Sequence, residues 1–330
     1  MTKADFDWAV AEATRKKKLD CSAAEYLTID EGECVQIMHT GAFDDEPATV
    51  AIMDEYIAAN GYENDFSDTR LHHEIYLSDA RKVAPEKWKT VIRHPVKKRK
   101  EEHILVQEIP AVLYGDSSEK LFLYIHGKMG CKEEAARFAE IVCPKGYQVL
   151  SIDLPGHGER TGEVERFVPW NVVPELQAVY GFARQRWEKI SLYANSIGAY
   201  FSLLAFREAK LEKSLFVSPI LDMEKLIRDM MGWAGMTREQ LMEAGEIPTA
   251  FGETLSWEYL TYAIENRIIK WDSPTAILYA GQDHLTARKT VDDFAQRFGC
   301  TVTVMENGEH WFHTEEQLAV LDAWLQRETE

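Results

Sequence analysis

Apolar residues recur as short continuous runs through the C-terminal two-thirds of the chain: Leu121–His126, Tyr147–Asp153, Ile190–Asn195, Ser214–Ser218, Thr275–Ala280 and Thr301–Met305. Runs of that length without polar alternation predict strands buried on both faces. Segments of helical length separate most of them. This alternation predicts a mostly parallel sheet flanked by helices, an α/β architecture. Residues 104–114 predict an antiparallel start to the same sheet. The interval Pro219–Trp271 is too long for a simple crossover. It is rich in Met and Trp (Met223, Met230, Met231, Trp233, Met236, Met242 and Trp257) and predicts a helical cap inserted at about 219–271.

The N-terminal third has a different rhythm. Cys34–Thr40 is a short apolar run closed by Gly41, a strand signal. Glu46–Asn60 places Val50, Met53, Ile57 and Ala58 at helical spacing and stops at Asn60-Gly61, a common helix-ending pair. Leu71–Leu77 and Trp88–Val96 predict two further strands, and residues 4–18 a preceding helix. The two patterns meet at Pro95-Val96-Lys97-Lys98-Arg99-Lys100-Glu101-Glu102. A proline and a charged run predict a linker or an exposed strand end there. The expected units are a small α+β module at 1–98 and a larger domain at 103–330.

The chain of 330 residues carries 37 basic and 55 acidic side chains, a net charge of −18. Such a balance repels phosphate backbones and disfavours a nucleic-acid partner, so the basic run at the boundary reads as solvated surface. The excess is uneven, with −4 over residues 1–100 and −14 over the remainder. No apolar run approaches the roughly 18 residues of a membrane span. The first residues contain no apolar core of a secretory signal. Five cysteines (Cys21, Cys34, Cys131, Cys143 and Cys300) are scattered without CxxC spacing. A reduced cytoplasm is the expected location, and no cysteine zinc site is expected. His72-His73, His310 and His313 lack supporting ligand patterns, so no metal is expected.

The candidate chemistry is concentrated at strand ends. Ile190-Ser191-Leu192-Tyr193-Ala194-Asn195-Ser196-Ile197-Gly198-Ala199-Tyr200 runs from a strand into small residues, a serine and a helix. This is a nucleophile elbow with Ala194 where the pattern G-x-S-x-G has its first glycine. LFLYIHGKMG, residues 121–130, resembles the HG oxyanion turn of the α/β-hydrolases, and SIDLPGHGER, residues 151–160, resembles their D-x-P-G-H-G turn. The resemblance covers about 104–330. It implies an α/β-hydrolase fold and a Ser-acid-His order. Asp283 in TAILYAGQDHL and His310 in TVTVMENGEHWFH fall where the acid and base belong. Asp222 is the reserve acid, and His313 and His284 are weaker bases. The oxyanion donors implied are the N–H groups of Lys128 and Ile197, with Met129 as the alternative to Lys128. His126, Asp153 and His157 are expected to be structural. A serine made nucleophilic by His310, itself oriented by Asp283, would form an acyl-enzyme that water hydrolyses, with no cofactor. Esters are the default small-molecule substrate; amides, peptides and thioesters stay open. The apolar cap reads equally as ordinary helix packing or as a site for an apolar acyl or leaving group.

The segments around Gly32–Gly41, Asp44–Pro47, His72–Asp79 and Lys89–Pro95 resemble the GyrI-like small-molecule-binding domain over about 25–96. That family pairs two strand-helix-strand-strand modules around a pocket, and only one is present. The resemblance implies binding of bulky aromatic, often cationic compounds, with Glu74 as the matching carboxylate and Tyr76 as an aromatic neighbour. A homodimer through this module would rebuild the missing half; packing on the chain's own larger domain is the competing solution. No helix-turn-helix segment precedes it. The overall expectation is a cytoplasmic serine hydrolase, carboxylesterase-like. The alternative is a ligand-binding or sensor protein with a vestigial hydrolase domain.

Overall fold

The computed structural model describes residues 2–98 and 101–330. The chain divides into two compact units, Met1–Arg99 and Lys100–Glu330. In the first, α1 (Lys3–Lys17) begins at a capping box between Thr2 and Asp5 and buries no residue. It is followed by β1 (Cys34–Thr40), α2 (Glu46–Ala59), β2 (Tyr62–Asn64), β3 (His73–Tyr76) and β4 (Lys89–Lys98). β4 is the central strand, antiparallel to β1 on one side and to β3 and then β2 on the other. Met53 and Ile57 of α2 pack on Ile92 and Val96 of β4, with Val35, Ile37 and Val50 around them. The opposite sheet face leaves Met38 and Ile75 exposed.

The charged run at the boundary is strand where it is described. Pro95–Lys98 closes β4, and Glu101 and Glu102, expected between the units, open the next strand. Arg99 and Lys100 lie outside the described residues. β2 supplies the reason for the longer β4: Lys97 reaches Glu63 at 3.3 Å and Asp65 at 3.4 Å. Tyr62–Asn64 is too short and polar to announce itself as a strand, so its partner's charged end read as linker.

The second unit is built on an eight-stranded sheet. Its elements are β5 (Glu101–Val106), β6 (Ile109–Tyr114), β7 (Lys120–Ile125), α3 (Ala135–Val142), β8 (Gln148–Ile152), α4 (Pro169–Arg184), β9 (Lys189–Asn195), α5 (Ser196–Ala205) and β10 (Ser214–Val217), then α6 (Met223–Trp233), α7 (Arg238–Ala244), β11 (Glu246–Pro248), β12 (Thr254–Ser256), α8 (Trp257–Glu265), β13 (Thr275–Ala280), α9 (Arg288–Phe298), β14 (Thr301–Met305) and α10 (Glu315–Glu328). The strand order is β14-β13-β10-β9-β7-β8-β6-β5. Six strands run parallel from β14 to β8, and the β5–β6 hairpin adds the antiparallel edge. Leu121–Ile125 and Gln148–Ile152 are buried throughout, as strands covered on both faces must be.

The chain leaves β7 for β8 on one side and later returns to β9 on the other. Such a reversal opens a crevice at the carboxyl ends of the strands, where open α/β sheets bind ligands. α5 starts there and is buried from Gly198 to Ala205, a helix apolar all round in the middle of the molecule. Between β10 and β13 lies the cap, made of α6, α7, the β11–β12 hairpin and α8. The hairpin strands are three residues each and one contains Pro248, too little signal to show in the apolar pattern.

Candidate active site

Ser196 stands at the junction of β9 and α5 with φ +49°, a left-handed conformation that a residue with a Cβ adopts at a cost. The turn is held by close packing. A Cβ on Gly198 would sit 2.4 Å from the His126 carbonyl oxygen and 2.8 Å from that of Ile125. One on Gly127 would come within 3.1 Å of the Ser196 Cβ. α5 therefore presses directly against the end of β7, and the HG turn lies beside the serine. Ala194, fully buried, fits where the motif has glycine.

Ser196 Oγ lies 2.8 Å from His310 Nε2, and His310 Nδ1 lies 2.8 Å from Asp283 Oδ2. The Asp283 side chain is fully buried. Its other oxygen, Oδ1, accepts the N–H groups of Leu285 at 2.8 Å and Thr286 at 3.1 Å. With Asp283 accepting only, the imidazole carries its proton on Nδ1 and offers Nε2 to the serine hydroxyl. The acid and base turns are stitched together: Gly281 N–H donates to Met305 O at 2.8 Å and Gln282 N–H to Gly308 O at 2.9 Å. A Cβ on Gly281 would meet the Glu306 carbonyl oxygen at 2.4 Å, so only glycine allows the approach.

Lys128 and Ile197 line the same cavity as Ser196. Ile197 is the second residue of α5, and its N–H has no acceptor within the helix. At the HG turn, Met129 N–H donates to His157 Nε2 at 2.9 Å and is thereby occupied. No hydrogen bond to the Lys128 N–H occurs among the described residues. Of the two alternatives at this turn, Lys128 is the one with an unused donor.

His126, Asp153 and His157 build the scaffold around that turn. His126 Nδ1–H donates to the Gly127 carbonyl at 2.7 Å, and Nε2 accepts the Leu154 N–H at 3.0 Å. Burial pushes its pKa down to about 4, so it stays neutral. Buried Asp153 accepts Lys132 N–H and Lys132 Nζ, both at 2.9 Å, and the Glu159 N–H at 3.0 Å. The reserve residues point elsewhere. Asp222 is exposed and caps α6 by accepting the Lys225 N–H at 2.9 Å. His313 Nδ1–H donates to the Trp311 carbonyl at 2.8 Å, and exposed His284 lies 6.3 Å from the His310 ring, centre to centre.

A cavity of about 490 Å³ opens from Ser196 and Ile197 under the cap. Its wall is mostly apolar, with Ile220, Leu226, Ile227, Met230 and Leu255 among the lining. At its edge Lys128 Nζ pairs with the Glu253 carboxylate at 2.5 and 2.6 Å. Sequence reasoning missed Glu253, which lies in the β11–β12 hairpin, 125 positions from its partner and in no motif. His103, Glu133 and Glu159 also come together, with ligand atoms within 4.8 Å of one another. All three are exposed, and the Lys132 ammonium already bonds Glu133 at 2.8 Å and Glu159 at 2.7 Å.

In the first unit, Glu74 bonds the Tyr76 hydroxyl and, at 3.1 Å, His72 Nε2. The tyrosine hydroxyl first, and His72 second, hold the Glu74 carboxyl below the usual carboxylate range. Tyr76 packs on Phe43 with ring centres 5.2 Å apart, and Phe43 on Trp88 at 4.6 Å. The two residues singled out in sequence thus share one aromatic corner.

The fold and the strand-end residues define the second unit as an α/β-hydrolase fold, and comparison with solved structures agrees. Est1E from Butyrivibrio proteoclasticus, with ferulic acid bound, superposes with a TM-score of 0.57 at 21% identity, over 69% of this chain and 97% of that one. Alpha/beta hydrolase domain-containing protein 10 from mouse gives 0.57 at 13%, over 69% and 97%. TT1662 from Thermus thermophilus gives 0.52 at 18%, over 71% and 99%. Residues 1–97 match the family model of the GyrI-like small molecule binding domain. That match starts at residue 1 rather than near 25, so it takes in α1. No protein of curated function matches the chain.

Proposed function

We propose that the second unit is a serine hydrolase that cleaves a carboxylic ester through an acyl-enzyme. The observation that carries this reading is the chain of two 2.8 Å hydrogen bonds from Ser196 through His310 to a buried Asp283. In the reaction His310 takes the hydroxyl proton as Ser196 attacks the carbonyl carbon. The N–H groups of Lys128 and Ile197 stabilise the oxyanion that forms. His310 then gives the proton to the leaving alcohol, and the acyl-enzyme remains. Water, activated by the same imidazole, attacks the acyl carbon and frees the acid and Ser196. Hydrolysis of a panel of p-nitrophenyl esters is the test. Turnover with an initial burst of p-nitrophenol is expected; no turnover on any ester, amide or thioester counts against the proposal.

The match to a small-molecule-binding family supports a separate role for the first unit. We propose that it binds an aromatic cation at the Glu74 carboxylate, with Tyr76 giving ring contact. Hydrogen bonds to charged groups contribute about 1.5–3 kcal/mol, so Glu74→Gln should weaken binding about tenfold or more. Isothermal titration of the full chain with ethidium as probe checks this. Equal affinity in both proteins would remove Glu74 from the role.

A further inference from the structure

The catalytic cavity has a neighbour. A second hollow of about 640 Å³ lies across α6 from it. The helix is a partition with two unlike faces. Leu226, Ile227 and Met230 line the catalytic cavity, whereas Glu224, Lys225, Arg228 and Asp229 line the second hollow. That division follows the 3.6-residue period. Met223, the first residue of α6, lines both hollows and is the single described residue that does so. It is buried, 5% exposed. At this end of the helix Met223 borders both spaces.

His310 must hand its proton to the leaving group, yet it does not line the catalytic cavity, while Ser196 and Ile197 do. We propose that the acyl part of the substrate fills this cavity, with the leaving group on the His310 side, and that Met223 is the depth stop of the acyl site. In this arrangement the substrate is an ester of a straight-chain aliphatic acid whose chain runs from Ser196 along the apolar face of α6 and ends against the thioether. The second hollow is lined mostly by charged and polar side chains, Arg267, Lys289 and Asp293 among them, and Leu221, Ala263, Phe294 and Phe298 belong to its apolar part, against which a longer chain would lie once the stop is removed. Methionine suits this place because an unbranched, polarisable side chain fills a gap without fixing its shape. The proposal rests on the serine-hydrolase reading above.

The test compares wild type, Met223→Ala and Met223→Phe on p-nitrophenyl esters of straight acids from acetate to palmitate. A methylene that finds or loses its place in an apolar pocket changes kcat/KM by about 10- to 200-fold. Met223→Ala should raise kcat/KM for the longest esters at least tenfold relative to butyrate, and Met223→Phe should move the optimum to shorter acids. Either shift, in a variant still labelled by a fluorophosphonate, supports the depth stop; Met223→Phe keeps the test open if the alanine variant does not fold. Wild type that is labelled and active, with a length profile that neither substitution changes, overturns the depth stop alone. Wild type that is neither labelled nor active overturns the hydrolase reading beneath it.

Discussion

Ser196→Ala is expected to lower kcat on an ester substrate by on the order of 10⁶-fold while leaving the fold in place. In the proposed reaction the side chain removed is the one that bonds the acyl group, so no other triad member can compensate. A residual enhancement of about 10³–10⁴ over water should persist, because the Lys128 and Ile197 donors and the cavity are untouched. Alanine also has a Cβ, so the φ of +49° is no more strained than with serine. Thermal unfolding should therefore change little. Single-turnover kinetics beside a melting curve check both halves. A variant that retains more than about a hundredth of the wild-type rate would exclude Ser196 as nucleophile.

The second large effect belongs to the acid. Asp283→Asn should lower kcat by about 10⁴-fold, because an amide NH₂ toward Nδ1 favours the tautomer with its proton on Nε2, the wrong one for accepting from Ser196. Among the described residues Asp283 is the group bonded to Nδ1, so the imidazole has no second orienting partner there. Asp222→Asn is the control. Asp222 caps α6 on the exposed side, and asparagine is as good a cap, so activity should stay within about twofold. If Asp222→Asn were the damaging change and Asp283→Asn nearly silent, the acid would be misassigned.

Much of this was legible in the chain because the relevant signals are local. The inner parallel strands β7, β8, β9, β10 and β13 are buried on both faces and therefore read as apolar runs, whereas the edge strand β14 is half-buried. Ser196, Asp283 and His310 each follow such a run within a few residues, in an order that chain topology preserves. Gly198 and Gly281 sit where a Cβ would strike backbone, and Gly127 where it would crowd the side chains of Ser196 and Asn195, so the turns they make carry a residue-type requirement that sequence displays. What sequence could not show depends on contacts between distant segments. That the N–H of Met129, the alternative to Lys128, is occupied depends on the His157 hydrogen bond, 28 positions away. Glu253 gains its meaning from Lys128 alone, and Met223 from two hollows on opposite sides of a helix. The first unit was harder for a different reason. Its strand β2 has three residues, and the charged end of β4 is strand because of pairing rather than composition.

Ser196 is the proposed nucleophile of an active triad. Mass spectrometry of the full chain after reaction with a fluorophosphonate, followed by peptide mapping, tests it most directly. One phosphonyl group per chain, placed on Ser196, is expected, with no adduct in Ser196→Ala. An unmodified chain, or an adduct on another residue with Ser196 untouched, would contradict it.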